Sequence, residues 1–212
     1  MGNVILDQFG IGPMGNFSYF IGDKETKEVA VVDAAWDTGL IKQKAQDSGY
    51  KIVAVLLTHG HPDHVNAVDE LVEDLDIPVY VSEKEIRMIS PKDKHVKLVS
   101  DGEKIKIGNI EVVCLLTPGH TPGSQCFKCG DILITGDAMF IDGCGRCDLP
   151  GGDAATMYNT LYNIISTLPD ETIIYPGHDY GAKSSASLSE QKKTNPYLQA
   201  KDLEDFLCQR MG

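Results

Sequence analysis

Residues 55–64 read VLLTHGHPDH: an apolar run opens into His59, His61, Asp63 and His64. Half of the chain's six histidines therefore sit in one short loop. The preceding IVAVLL (52–57) is a short apolar, β-branched run of the kind that forms a buried strand. A loop at such a strand's end projects side chains into a common mouth. Alternate residues of an extended turn can point His59 and His61 at one ion. Neutral imidazole and carboxylate are the ligands that zinc and iron take.

Working outward, three more candidates stand after strand-like runs: His120 in TPGHTPGS, Asp137 in ITGDAMF and His178 in YPGHDYG. The sixth histidine, His95 in PKDKHVK, reads as a solvated surface residue and receives no role. Upstream, VILDQF (4–9), NFSYFIG (16–22) and EVAVVDA (28–34) read as an antiparallel meander broken by the glycine-rich GIGPMG. Residues 37–49 carry helical spacing, with Asp37 or Thr38 as start and Gly49 as stop. Downstream, VNAVDELVEDL (65–75) and ATMYNTLYNIISTL (155–168) read as helices. PVYVS (78–82), IEVVCLL (110–116), SQCFKC (124–129), DILITGD (131–137) and TIIYPGHDY (172–180) read as strands or a strand with its loop. The tail from about Ser187 reads as helical. The order predicts one α/β layered domain over 1–212, mixed sheets with helices outside.

Composition narrows the function classes. A net charge of −12 argues against a nucleic-acid surface, which needs clustered Lys and Arg. The opening MGNVILDQFG has neither a basic leader nor a long apolar core, and no apolar run reaches the ~18 residues of a membrane span. The expectation is a soluble, unprocessed, cytoplasmic protein with no membrane or nucleic-acid partner. Six cysteines without a secretion signal fit reduced thiols. Cys126/Cys129 and Cys144/Cys147 form two C-x-x-C pairs near the spacing of a zinc ribbon. Residues three apart in a strand face opposite sides, however, so Cys126 and Cys129 in SQCFKC should not clamp one ion. Cys114 reads as core packing, and Cys208 as tail packing or a free thiol.

The run T-H-G-H-P-D-H resembles the T-H-x-H-x-D-H signature of the metallo-β-lactamase superfamily, and His120, Asp137 and His178 follow in that family's order. The resemblance covers nearly the whole chain. It implies an αββα sandwich of two mixed sheets with the metals at one edge. It further implies one metal site from His59, His61 and His120, a second from Asp63, His64 and His178, and Asp137 as a bridge. Two divalent ions, zinc before iron or manganese, would hold a bridging hydroxide as nucleophile. Asp63, primarily a ligand, could orient its proton in a catalytic role.

The loop FIDGCGRCDLPGGD (140–153) and the following PGHDY resemble glyoxalase II and the persulfide dioxygenases. The first resemblance implies hydrolysis of a small-molecule thioester such as an acylglutathione, with Arg146 and Tyr180 binding the thiol part. A guanidinium suits a carboxylate of such a conjugate. In the competing reading Arg146 pins its own loop to Asp148 or Asp153. Asp148 also stands where glyoxalase II carries an aromatic residue, and that family's long helical C-terminal domain has only a short counterpart here. The second resemblance implies a single iron on His59, His120 and Asp137, acting on a glutathione persulfide. Superfamily members that couple a di-iron site to a flavin domain commonly replace a site histidine by carboxylate, whereas the ligands here fit the hydrolytic set.

Overall fold

The chain, described by a computed structural model over residues 2–88 and 94–212, folds as two six-stranded sheets. The first sheet runs in chain order through β1 (Val4–Ile11), β2 (Asn16–Asp23), β3 (Glu28–Val32), β4 (Lys51–Leu56), β5 (Val79–Ser82) and β6 (Val96–Val99). β1 to β3 form the antiparallel meander, and β3 to β6 are parallel. The second sheet comprises β7 (Lys104–Ile107), β8 (Ile110–Leu116), β9 (Gln125–Cys129), β10 (Ile132–Gly136), β11 (Ile173–Pro176) and β12 (Ala186–Ser187). There β7 to β10 are antiparallel, β10 and β11 parallel.

Period-two alternation assigns each strand residue to a layer. Tyr19, Ile21, Ala30, Val32, Ala54 and Leu56 face Ile107, Val112, Cys114, Phe127 and Ile134 between the sheets. Their alternates Phe20, Val29, Val31 and Val55 face outward and pack under α1 (Thr38–Asp47) and α3 (Val68–Leu75). Leu133 and Ile174 on the second sheet's outer face are covered by α4 (Ala154–Asn163), α5 (Leu188–Thr194) and α6 (Leu203–Met211). The result is the expected αββα sandwich. Each fully buried aliphatic side chain of these layers contributes roughly 1.5–3 kcal/mol.

Asp37 is the cap of α1, accepting from the Leu40 amide at 2.8 Å, and Gly49 takes the left-handed conformation just beyond the helix end. The expected helix over 65–75 is instead two pieces, α2 (Pro62–Val65) and α3. Pro62 starts the first piece inside the histidine motif. Between the pieces Asn66 Oδ1 accepts from the Trp36 amide at 2.6 Å and the Ala67 amide donates to Ala34 O, so tertiary bonds interrupt the helix. Likewise 155–168 ends as α4 plus a short 3₁₀ turn. Strands β6, β7 and β12 were not expected; all are short and sit at sheet edges, where polar residues blunt strand patterning.

His95 is not solvated. Although PKDKHVK lies partly outside the described residues, His95 is buried and its Nε2 lies 3.0 Å from Asp76 Oδ1. Among the described residues no helix is long and apolar enough to cross a membrane.

Candidate metal centre

Strand direction explains why the candidate residues converge. β3 and β4 are parallel, so Asp33 and the loop 57–64 leave the first sheet at the same end. β8, β10 and β11 all run in one direction in the second sheet, so the loop bearing His120, Asp137 and the loop bearing His178 also share an end. The two ends meet. Donor atoms of His59, His61 and His120 all lie within 4.8 Å of one another, and so do those of Asp63, His64 and His178.

Contacts within the cluster are close. His61 Nδ1 lies 2.9 Å from His120 Nε2, and His64 Nε2 lies 3.1 Å from His178 Nε2. Asp137 stands between the groups, with Oδ2 at 3.5 Å from His120 Nε2 and 3.4 Å from His178 Nε2, and Oδ1 at 3.4 Å from His64 Nε2. Asp63 Oδ2 lies 3.4 Å from His178 Nε2.

The far nitrogens of four rings are engaged outside the cluster. His59 Nδ1 meets Thr58 Oγ1 at 3.0 Å, His120 Nδ1 meets Arg146 O at 2.7 Å, His178 Nδ1 meets Met14 O at 3.1 Å, and His64 Nδ1 meets Asp33 Oδ2 at 3.0 Å. A ring that donates its far N–H to an oxygen turns the lone pair of Nε2 inward. Facing lone pairs at hydrogen-bond distance require a cation or a proton between them. His59 Nε2 and Asp137 Oδ1 are buried with no hydrogen-bond partner, which costs stability unless a ligand satisfies them. The donor set and these two orphaned atoms fit divalent cations.

Electrostatics agree. Burial, reinforced by the neighbouring His64, His120 and His61, pushes His59 well below the usual histidine range and keeps it the neutral ligand form. Burial alone would raise the Asp137 carboxyl, but the facing His64 charge and a hydrogen bond with His178 outweigh it and keep it ionised. His64 is pushed up to about 9: burial opposes its charge, and Asp137 and Asp33 overcome that opposition.

Small residues permit this density. A β-carbon at Gly145 would collide with Asp137 O and the His120 ring, and one at Gly177 with the Asp137 carboxylate. These glycines leave room for the ligands.

Two supporting residues escaped the sequence reading. Asp33, left-handed at φ 54°, accepts from the Thr58 amide at 2.8 Å and from Thr58 Oγ1 at 2.7 Å besides meeting His64. Asn16 donates to Asp63 Oδ2 at 2.9 Å and accepts from Trp36 Nε1 at 3.0 Å. The sequence signal for Asp33 is its place at the end of the strand-like run EVAVVDA, with nothing there to tie it to the histidine loop.

Arg146 and Tyr180 lie at the rim. Tyr180 is 59% exposed, and its ring stacks on His178 with centroids 4.5 Å apart and 12° between planes. The Arg146 guanidinium makes a forked pair with Asp148 at 2.9 and 2.7 Å, as the loop-pinning reading expects. That bond holds the Asp148 carboxyl down to about 2. The tail also reaches this loop, since Arg210 Nε donates to Gly145 O at 3.0 Å.

The cysteine pairs do not form a ribbon. Cys126 packs with the outer core of the second sheet and Cys129 with the core between the sheets, as strand alternation requires. Burial pushes the Cys126 thiol up to about 12. Cys114 is core, and Cys208 is an exposed free thiol.

The family model of the metallo-beta-lactamase superfamily matches residues 11–178, spanning every one of the clustered side chains. The chain belongs to this superfamily. It is 35% identical, over 91% of its length and 85% of the relative's, to a protein of Bacillus subtilis named a probable polyketide biosynthesis zinc-dependent hydrolase, PksB. It is 33% identical, over 86% of its length and 71% of the relative's, to the human mitochondrial persulfide dioxygenase ETHE1. Among solved structures, ETHE1 from Myxococcus xanthus superposes with a TM-score of 0.89 at 31% identity, covering 98% of this chain and 90% of that one. This metallo-beta-lactamase fold thus carries a metal-binding histidine and aspartate cluster in a family whose named relatives include a hydrolase and a dioxygenase.

Proposed function

We propose that the chain is a two-metal hydrolase of thioesters, of the glyoxalase II-like type. The observation that carries this reading is the Asp137 carboxylate between two complete ligand triads, within 3.5 Å of nitrogens from both. His59, His61 and His120 would hold one ion, Asp63, His64 and His178 the other, and Asp137 would touch both. Zinc suits this nitrogen and oxygen donor set. A pair of bound cations supplies Lewis acidity and makes water nucleophilic at neutral pH.

The chain's own residues do the rest. The oxygens behind His59, His64, His120 and His178 hold the four rings with Nε2 turned into the cluster, where His64 becomes a donor on giving up its proton. Asn16 holds the Asp63 carboxylate in place. Burial and the nearby Asp137 and Asp63 raise the Tyr180 phenol, which therefore stays a neutral hydrogen-bond donor at the mouth. Arg146 is 63% exposed in its side chain, and an exposed, solvent-screened pair such as Arg146–Asp148 holds its partners weakly. A substrate carboxylate can displace Asp148 at small cost. A thiolate leaves readily near neutral pH, so no strong general acid is demanded.

The second reading is a single iron on His59, His120 and Asp137 acting on a persulfide, supported by the 33% identity to a protein named persulfide dioxygenase. The deciding assay offers an acylglutathione thioester, and separately glutathione persulfide with oxygen uptake monitored, to zinc-loaded and iron-loaded protein. Thiol release is the expected result. Oxygen uptake by the iron form, with no thiol release by either form, overturns the hydrolase.

A further inference from the structure

We propose that Glu85 is a positioning residue for the first triad: its buried carboxylate sets the distance between the loop carrying His59 and His61 and the loop carrying His120. The proposal rests on the two-metal reading.

Glu85 lies on a short 3₁₀ segment (Glu83–Met88) that follows β5, and it is fully buried. Its Oε2 accepts from the amide of Gly60, the residue between His59 and His61, at 2.8 Å. Its Oε1 accepts from Thr121 Oγ1 and from the Gly123 amide, both at 2.7 Å, directly after His120. One carboxylate therefore grips both loops. His59 and His61 belong to the first sheet's loops and His120 to the second's, so no local turn fixes their separation. The 2.9 Å approach of His61 Nδ1 to His120 Nε2 lies across this junction. Asp33 does not serve it, because its side chain meets Thr58 and His64 instead.

The chemistry requires a carboxylate. Three donors converge on it, and an ionised carboxylate offers acceptors only. A glutamine of the same shape would turn its NH₂ group toward at least one N–H or O–H donor. Gly123 adds a second constraint, since a β-carbon there would come within 2.8 Å of Glu85 Cγ and Oε1.

The test is competitive titration of the full-length protein with Co²⁺ or Zn²⁺ against a chromophoric chelator. Parent, Glu85→Gln and Thr121→Val are compared, each also in a His178→Ala background that leaves only the first triad complete and a His120→Ala background that leaves only the second. Partners outside the ligand set typically change metal affinity ~10–100-fold. Glu85→Gln is expected to weaken the first triad by about tenfold or more and to alter its Co²⁺ absorption, with the second triad within about twofold. Thr121→Val, which removes one of three donors, gives a smaller loss at the first triad alone, and it decides the matter should Glu85→Gln not fold. Unchanged affinity at the first triad, or an equal loss at both, overturns the proposal. A parent that binds only one ion defeats the two-metal reading but still tests Glu85 on the ion that remains. A parent that binds none overturns both.

Discussion

The two halves of the cluster are built on one plan with opposite chemistry. Each takes two ligands from the first sheet's histidine loop and α2, and one from the second sheet, so each stitches the sandwich together. The first half is three imidazoles, backed by the Thr58 hydroxyl and the Arg146 carbonyl. The second contains the Asp63 carboxylate and is backed by the charged Asp33 and the Asn16 amide. The first half therefore depends on loop placement, and the second adds charge. Asp137 reaches donor nitrogens of both halves directly.

The largest expected effect follows from that shared position. Asp137→Ala should weaken both ions together and abolish hydrolysis, beyond the ~10–100-fold typical of outer partners; isothermal titration and thiol-release rates check it. An unchanged metal content breaks the comparison at its centre. Asp33→Asn should come next, at about 10–100-fold in metal affinity, felt most at the second half through His64 and less at the first through Thr58.

Acidity separates the halves further. His64 sits at about 9, so a cation taking its Nε2 at neutral pH must displace a proton, whereas His59 is already neutral. The second ion should therefore bind up to about tenfold more tightly for each pH unit gained up to about 9, because each unit is worth 1.36 kcal/mol per proton. The first ion should show no such slope. Equal slopes in a pH-resolved titration would contradict the assignment. The smallest effects belong to the rim. Arg146→Ala and Tyr180→Phe should raise KM several-fold with kcat nearly unchanged, and a kcat loss without a KM change would move these residues into the chemistry.

Much of the centre was legible because its ligands are local in sequence or follow apolar runs. His59 to His64 advertise themselves by density, and His120, Asp137 and His178 by their strand-end positions. Layering was legible too, since Cys126 and Cys129 part company on β9 as period two demands. What escaped depends on distant partners. Asp33 is one strand-end aspartate among several until Thr58 and His64 fold onto it. Glu85 is one of several charges in SEKEIR and drew no role from the sequence; only the fold encloses it with three donors from two loops. His95 sits among lysines in sequence yet is buried. The break between α2 and α3 arises from bonds to Ala34 and Trp36 that no local pattern encodes.

The measurement that bears most directly on this account is metal stoichiometry, by elemental analysis of the reconstituted parent and of its Asp137→Ala, His61→Ala and His178→Ala variants. Two ions per chain in the parent, one retained in His61→Ala and in His178→Ala, and neither held tightly in Asp137→Ala is the predicted pattern. A parent that saturates at a single ion, kept by both histidine variants and lost only with Asp137, would contradict it.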